Sequence, residues 1–173
     1  MAAVEGMETR PTSDRLRETL FNVVAPRVEE SVWLDVFAGT GAVGIEALSR
    51  GARSVYFIES AAKAARVIRE NLEELGIEEG AEVIERDAAS ALRMLDAQAV
   101  LADFCFLDPP YRKMAAYEDV LGFLSQSRLL GKESVVIAEH DKHFDPGEEF
   151  GALRRTRKLQ QGDAVLSFYK LAG

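Results

Sequence analysis

The sequence predicts an α/β fold: a doubly wound, mostly parallel seven-stranded sheet that closes with a C-terminal antiparallel hairpin. Three observations predict it. Short apolar, β-rich runs alternate with helix-length amphipathic segments along most of the chain. The early runs are almost continuously apolar, as strands covered on both faces must be. The last two runs are separated only by the turn QGD, which suits a hairpin and is far too short for a crossover.

The elements follow in order. Residues 13–24 (SDRLRETLFNVV) set Leu16, Leu20 and Val23/Val24 on one helical face, with Thr12 or Ser13 as N-cap. VWLDVF (32–37) is the first strand; it ends in AGTGAVG and runs into a helix, GIEALSRG, closed by Gly51. SVYFIE (54–59) is the second strand, followed by a helix over about 61–75 that Gly76 stops. AEVIER (81–86) is the third, with a short helix at about 89–95 after it. DFCFLD (103–108) is the fourth, ended by Pro109-Pro110. A helix over 115–126 leads to SVVIAEH (134–140), and LRRTRKLQ (153–160) and AVLSFYK (164–170) form the hairpin.

A chain of 173 residues suits one domain, expected to span 1–173, with a core large enough to need no covalent staples. The single cysteine, Cys105, excludes an internal disulfide framework and a cysteine zinc cage; within DFCFLD it reads as a buried strand thiol. His140 and His143 stand in no cluster at ligand spacing, so structural or surface roles are expected and no metal. No apolar stretch of ~18 residues and no N-terminal apolar leader segment is present, so a cytoplasmic protein is expected.

The net charge of −8 argues against non-specific adhesion to nucleic acid. The charge is unevenly placed, however. Residues 70–87 hold eight acids and one arginine, whereas 151–173 hold five bases (Arg154, Arg155, Arg157, Lys158, Lys170) and one acid, Asp163. The acids are expected to cover an outer surface away from any substrate. The bases at 154–158 read either as a nucleic-acid contact or as a solvated strand face.

Four signals carry chemistry. The first is Asp35-Val-Phe-Ala-Gly39-Thr-Gly41-Ala-Val-Gly44, a glycine-rich turn between a strand and a helix. Its glycines permit a tight turn and close backbone approach to a ligand, and its helix N-terminus favours anionic groups. The second is Glu59 at the end of the second strand, where a carboxylate can accept both hydroxyls of a ribose. NAD and S-adenosylmethionine (AdoMet) both present such a ribose. The third is Arg86-Asp87-Ala88: Asp87 can accept from an adenine amine and the Ala88 N–H can donate to a ring nitrogen, although Asp there is also an ordinary helix cap. The fourth is Asp108-Pro109-Pro110-Tyr111 after the apolar strand. The prolines fix φ and remove two donors, leaving the Asp108 carboxylate and Pro109 carbonyl as acceptors beside a flat ring. Two acceptors and a ring suit a planar base with an exocyclic amine.

At these residues the sequence resembles the class I AdoMet-dependent methyltransferases that act on exocyclic amines, whose [DNS]PP[YFW] motif stands here as DPPY. More narrowly it resembles the bacterial RsmD-like 16S rRNA (guanine-N2) methyltransferases. The pieces that match are RPTSDRLRETLFN (10–22), WLDVFAGTGAVGIEALSRGA (33–52), FIES (57–60), RDA (86–88), FLDPPY (106–111) and VVIAEH (135–140). The resemblance implies a Rossmann-like methyltransferase fold with AdoMet as cofactor. The substrate it implies is ribosomal RNA or a partly assembled small subunit, met by a monomer with no metal and no membrane attachment. It implies that Asp35, Phe37, Ala38, Gly39, Thr40 and Gly41 cradle the methionine part. Glu59, with Ser60 beside it, takes the ribose, and Asp87 and Ala88 take the adenine. Asp108, Pro109, Pro110 and Tyr111 hold the target guanine. Arg10, Thr12 and Arg17 belong to a block that packs beside donor or substrate. Family members carry a basic strand segment ahead of that block; here the region is MAAVEGMET, without a base, so either the basic tail takes over the RNA contact or the substrate has changed. The alternatives are a DNA adenine-N6 or other nucleic-acid amino methyltransferase, and a dinucleotide-binding oxidoreductase or nucleotide sensor.

Overall fold

A computed structural model describes residues 13–110 and 113–173. Its centre is one sheet in the order β3-β2-β1-β4-β5-β8-β7-β6. The parallel part consists of β1 (Val32–Val36), β2 (Ser54–Ile58), β3 (Ala81–Ile84), β4 (Ala102–Leu107) and β5 (Leu130–Asp141). The helices between them are α2 (Ala42–Ser49), α3 (Ala62–Glu74), α4 (Ala88–Ala97) and α5 (Ala115–Gln126), with α1 (Asp14–Val24) leading in. The antiparallel part is β6 (Glu149–Phe150), β7 (Leu153–Gln161) and β8 (Ala164–Leu171), with β8 against β5.

Among the described residues the sheet has eight strands where seven are expected. The extra one is β6, two residues that pair with Leu153 and Arg154; so short a strand leaves no alternating pattern to read. The fifth strand also starts earlier than SVVIAEH. Gly131-Lys132-Glu133, ahead of the expected strand, also lies within β5, where the register with β4 shifts between Ala102 and Phe104. Ser134 closes the irregularity: its hydroxyl donates to the Ala102 carbonyl at 2.5 Å and accepts from the Gly131 N–H at 2.8 Å.

Strand alternation divides the core between the two faces. Leu34, Val36, Cys105, Leu107, Val136 and Ala138 pack under α4 and α5. Trp33, Phe104, Phe106 and Ile137 pack under α1, α2 and α3. On that second face Phe21, Trp33 and Phe104 stack successively, with centroids 5.4 and 4.7 Å apart. Helix α1 buries Leu16, Leu20, Phe21 and Val24, and Ser13 is its cap, accepting from the Leu16 N–H at 3.1 Å. Cys105 is fully buried, as expected, and burial pushes its thiol pKa up. Among the described residues, no helix is long and apolar enough to cross a membrane.

The eight acids of 70–87 are all exposed, on the end of α3, the following loop, β3 and the approach to α4. Strand β3 is one edge of the sheet and the basic hairpin lies toward the other, so the charge asymmetry of the sequence becomes an asymmetry across the sheet.

Candidate active site

Register brings the four signals together. Val36 pairs with both Ile58 and Leu107, and Ile58 pairs with Ile84. Phe37, Glu59, Glu85 and Asp108 are the next residues along four adjacent parallel strands. The glycine turn, Glu59, the Asp87 step and the Asp108-Pro109-Pro110 segment therefore leave the same rim, outside the carboxyl ends of the strands, where open α/β sheets bind their ligands.

The turn is held by groups that the sequence carries at a distance from it. The Glu59 carboxylate is buried and binds two backbone donors, the Gly39 N–H at 2.9 Å and the Ala61 N–H at 3.0 Å. Each oxygen keeps a second lone pair, enough to accept from a pair of hydroxyls. Asp35 is buried at the end of β1 and accepts from the Gly44 N–H at 3.1 Å. Burial raises its pKa to about 8; the Gly44 N–H opposes the shift and the nearby Glu59 adds to it. Gly39 adopts φ +59°, with nothing within 4 Å of where a Cβ would stand, so the backbone is bare on that side. Gly44 serves packing: a Cβ there would fall 2.4 Å from Phe57 Cε1 and 2.7 Å from Val55 Cγ1.

Asn71 is a support that sequence reasoning missed. Its side-chain amide donates to the Thr40 carbonyl at 3.0 Å from a buried position on α3. A polar residue on the apolar stripe Ala64–Ala65–Ile68–Leu72 is the signal that could have revealed it. Phe37 was expected only as part of the cradle. It takes φ +62°, uncommon for a bulky residue, and lines a cavity of about 120 Å³ with Ala88, Leu92, Val120 and Phe123 between α4 and α5.

Asp87 caps α4, its carboxylate accepting from the Ser90 N–H at 3.1 Å, and Ala88 opens the helix. The cap reading of Asp87 is thus realised, and its second oxygen stays available. Asp108 is half-buried, Pro109 is buried, and the Pro110 carbonyl accepts from the Lys113 N–H at 2.9 Å, turning the chain toward α5. Ser60 is exposed beside Glu59, while Ala38 donates its N–H to the Ile58 carbonyl at 3.0 Å. Arg17 is turned to Asp14 (3.0 Å) and to Glu46 on α2 (3.5 Å), tying α1 to the helix that follows the glycine turn. Tyr111, Arg10 and Thr12 lie outside the described residues.

His140 is buried on β5, where its Nε2 meets the Ser167 hydroxyl at 2.8 Å and its Nδ1 the Phe144 carbonyl at 2.7 Å. Burial lowers its pKa against the opposing pull of the Asp141 and Phe144 carbonyls, which fits the structural role expected of it.

The family model described as "Conserved hypothetical protein 95" matches residues 1–170. "Putative rRNA methyltransferase YlbH" of Bacillus subtilis is 35% identical over 173 residues, covering 100% of this chain and 94% of the relative. "Ribosomal RNA small subunit methyltransferase D" of Haemophilus influenzae is 38% identical over 134 residues, covering 77% of this chain and 68% of the relative. Among solved structures, "Putative methyltransferase yhhF from Escherichia coli" superimposes with a TM-score of 0.82 at 30% identity, covering 95% of this chain and 89% of that one.

Proposed function

The chain belongs to the Conserved hypothetical protein 95 family, the RsmD-like group, and from that premise we propose that it is an AdoMet-dependent rRNA methyltransferase acting on the exocyclic N2 amine of a guanine in small-subunit RNA. It works as a monomer in the cytoplasm, on ribosomal RNA or a partly assembled subunit.

The rim described above suits the cofactor. The bare backbone at Gly39 leaves room for the methionine part along 35–41. The free lone pairs of Glu59 suit the ribose hydroxyls, with Ser60 alongside. Asp87 and the Ala88 N–H suit the adenine edge, and the apolar cavity behind Phe37 and Ala88 suits its ring. When bound, AdoMet supplies a methyl group on a sulfonium, already a strong electrophile.

The protein's task is then to aim a poor nucleophile. A guanine N2 amine is weak because its lone pair is delocalised into the ring. The Asp108 carboxylate and Pro109 carbonyl accept from its two N–H bonds and favour a pyramidal nitrogen with its lone pair turned outward. Asp108 or water takes the proton that the methylated nitrogen sheds. The target base leaves its stack at a cost of a few kcal/mol, and stacking on Tyr111 returns about 1–3 kcal/mol.

The observation that carries this reading is the Val36–Leu107 register, which sets the glycine turn beside the Asp-Pro-Pro loop on neighbouring strands. The test is Asp108→Ala. Methyl incorporation from labelled AdoMet into small-subunit particles should vanish, while calorimetry shows near-normal AdoMet affinity. Retained turnover would remove Asp108 from the chemistry.

A further inference from the structure

We infer that a recess on the α1 face of the sheet, away from the methyl-transfer rim, binds a single-stranded nucleotide of the RNA substrate, its base in an apolar slot and its phosphate on Arg27 and Arg157. The inference rests on the reading of the substrate as RNA. The recess holds about 230 Å³ between the end of α1 and strands β4, β5, β7 and β8. Its walls are apolar, from Val23, Val24, Pro26 and Val135 over buried Phe104 and Phe168. Three cations edge it: Arg27, Arg157 and Lys170.

Charge separates this patch from the rest of the basic hairpin. Arg155 forks onto Asp145 at 2.6 and 3.1 Å and holds that carboxyl down to about 2. Lys158 reaches the same carboxylate at 4.0 Å, and Arg154 pairs with Glu149 at 3.5 Å. The expected RNA contact at 154–158 therefore narrows to Arg157. Among the described residues neither Arg27 nor Arg157 pairs with a carboxylate, and both are exposed, in a chain whose net charge is −8. Lys170 meets Glu133 at 3.7 Å, with both side chains open to water, so that pair is weak.

Geometry selects the ligand. The Arg27 guanidinium lies over the Phe104 ring at 5.2 Å and that of Arg157 over Phe168 at 5.9 Å. Each guanidinium thus stands beside a buried ring at the mouth of the recess, on a side chain that is otherwise exposed. Planar, weakly hydrated forks stack on bases and bind phosphate bidentately. An Arg27 N–H already donates to the Glu133 carbonyl at 2.7 Å, which steadies that side chain. Phe104 stands four residues before Asp108 on β4, ~13 Å at about 3.3 Å per residue, so the recess can hold a nucleotide near the target in the same RNA.

The experiment compares the wild type with Arg27→Gln/Arg157→Gln and with the conservative Arg27→Lys/Arg157→Lys. A first arm measures anisotropy of a labelled single-stranded RNA of about ten nucleotides, within the site sizes of single-strand binders. The Gln pair should weaken binding about tenfold or more. It should also flatten the log–log salt slope by ~0.7 per lost contact, while the Lys pair keeps most of the slope. A second arm measures methyl transfer to small-subunit particles, where KM should rise with kcat and AdoMet affinity unchanged. Urea midpoints confirm that the variants are folded. Unchanged RNA affinity and salt slope in the folded Gln pair would overturn the inference, as would a change confined to self-association, which would make the recess a contact between copies. If the wild type bound RNA through the recess yet transferred no methyl to it, the proposed reaction would fall and the recess would stand.

Discussion

Asp35→Asn tests the electrostatics of the glycine turn. Asp35 is buried, with its pKa raised from 3.8 to about 8, chiefly by burial. The folded protein therefore holds a proton on this group across a pH range in which the unfolded chain has lost it. Its contribution to stability is complete below 3.8 and is lost as pH rises toward about 8. At 1.36 kcal/mol per unit, raising the pH from about 5 to 8 costs the wild type ~4 kcal/mol through this group alone. Asparagine cannot titrate, and its side-chain oxygen can still accept from Gly44. Whatever its buried amide costs is the same at every pH. Urea unfolding of both proteins at intervals across this range gives the difference in stability. Relative to Asp35→Asn, the wild type should lose ~4 kcal/mol, to within a factor of two, with rising pH. A difference that stays flat would mean that Asp35 titrates as an ordinary surface carboxylate, and the buried position assigned to it would be wrong.

Other perturbations reach the same rim. Gly44→Ala puts a methyl 2.4 Å from Phe57 Cε1, so α2 must lift from β2; urea unfolding should show a loss of ~1–3 kcal/mol, and an unchanged midpoint would mean that α2 packs more loosely than described. Glu59→Gln should weaken AdoMet by about tenfold or more in calorimetry, as charge-assisted bonds to two hydroxyls become neutral ones; unaltered affinity would disprove the ribose assignment. Cys105 is fully buried with its thiol pKa pushed up, so alkylation of the native protein should proceed only as fast as global unfolding, and rapid labelling would contradict its place in β4.

Much of this was legible in residue order because the strongest signals are local. The runs VWLDV and ADFCFL carry their own burial pattern, and the glycine and proline turns mark where strands end. Supports that depend on tertiary contact were not legible. Nothing near Thr40 announces that Asn71, thirty-one residues on, binds its carbonyl. Glu59 reads as a ligand group, yet its bonds to Gly39 and Ala61 also make it the staple of the turn. The basic hairpin shows the limit of counting charges. Arg155 and Arg157 look alike in sequence, but the register shift between them leaves one locked on Asp145 and the other over Phe168.

The most direct test of the central claim is nucleoside analysis of small-subunit RNA, digested after particles lacking the modification are incubated with the protein and isotopically labelled AdoMet. Label should appear in N2-methylguanosine and be absent with Asp108→Ala. Label in N6-methyladenosine or in a ring-carbon or ribose methyl, or no label in the RNA at all, would contradict that claim.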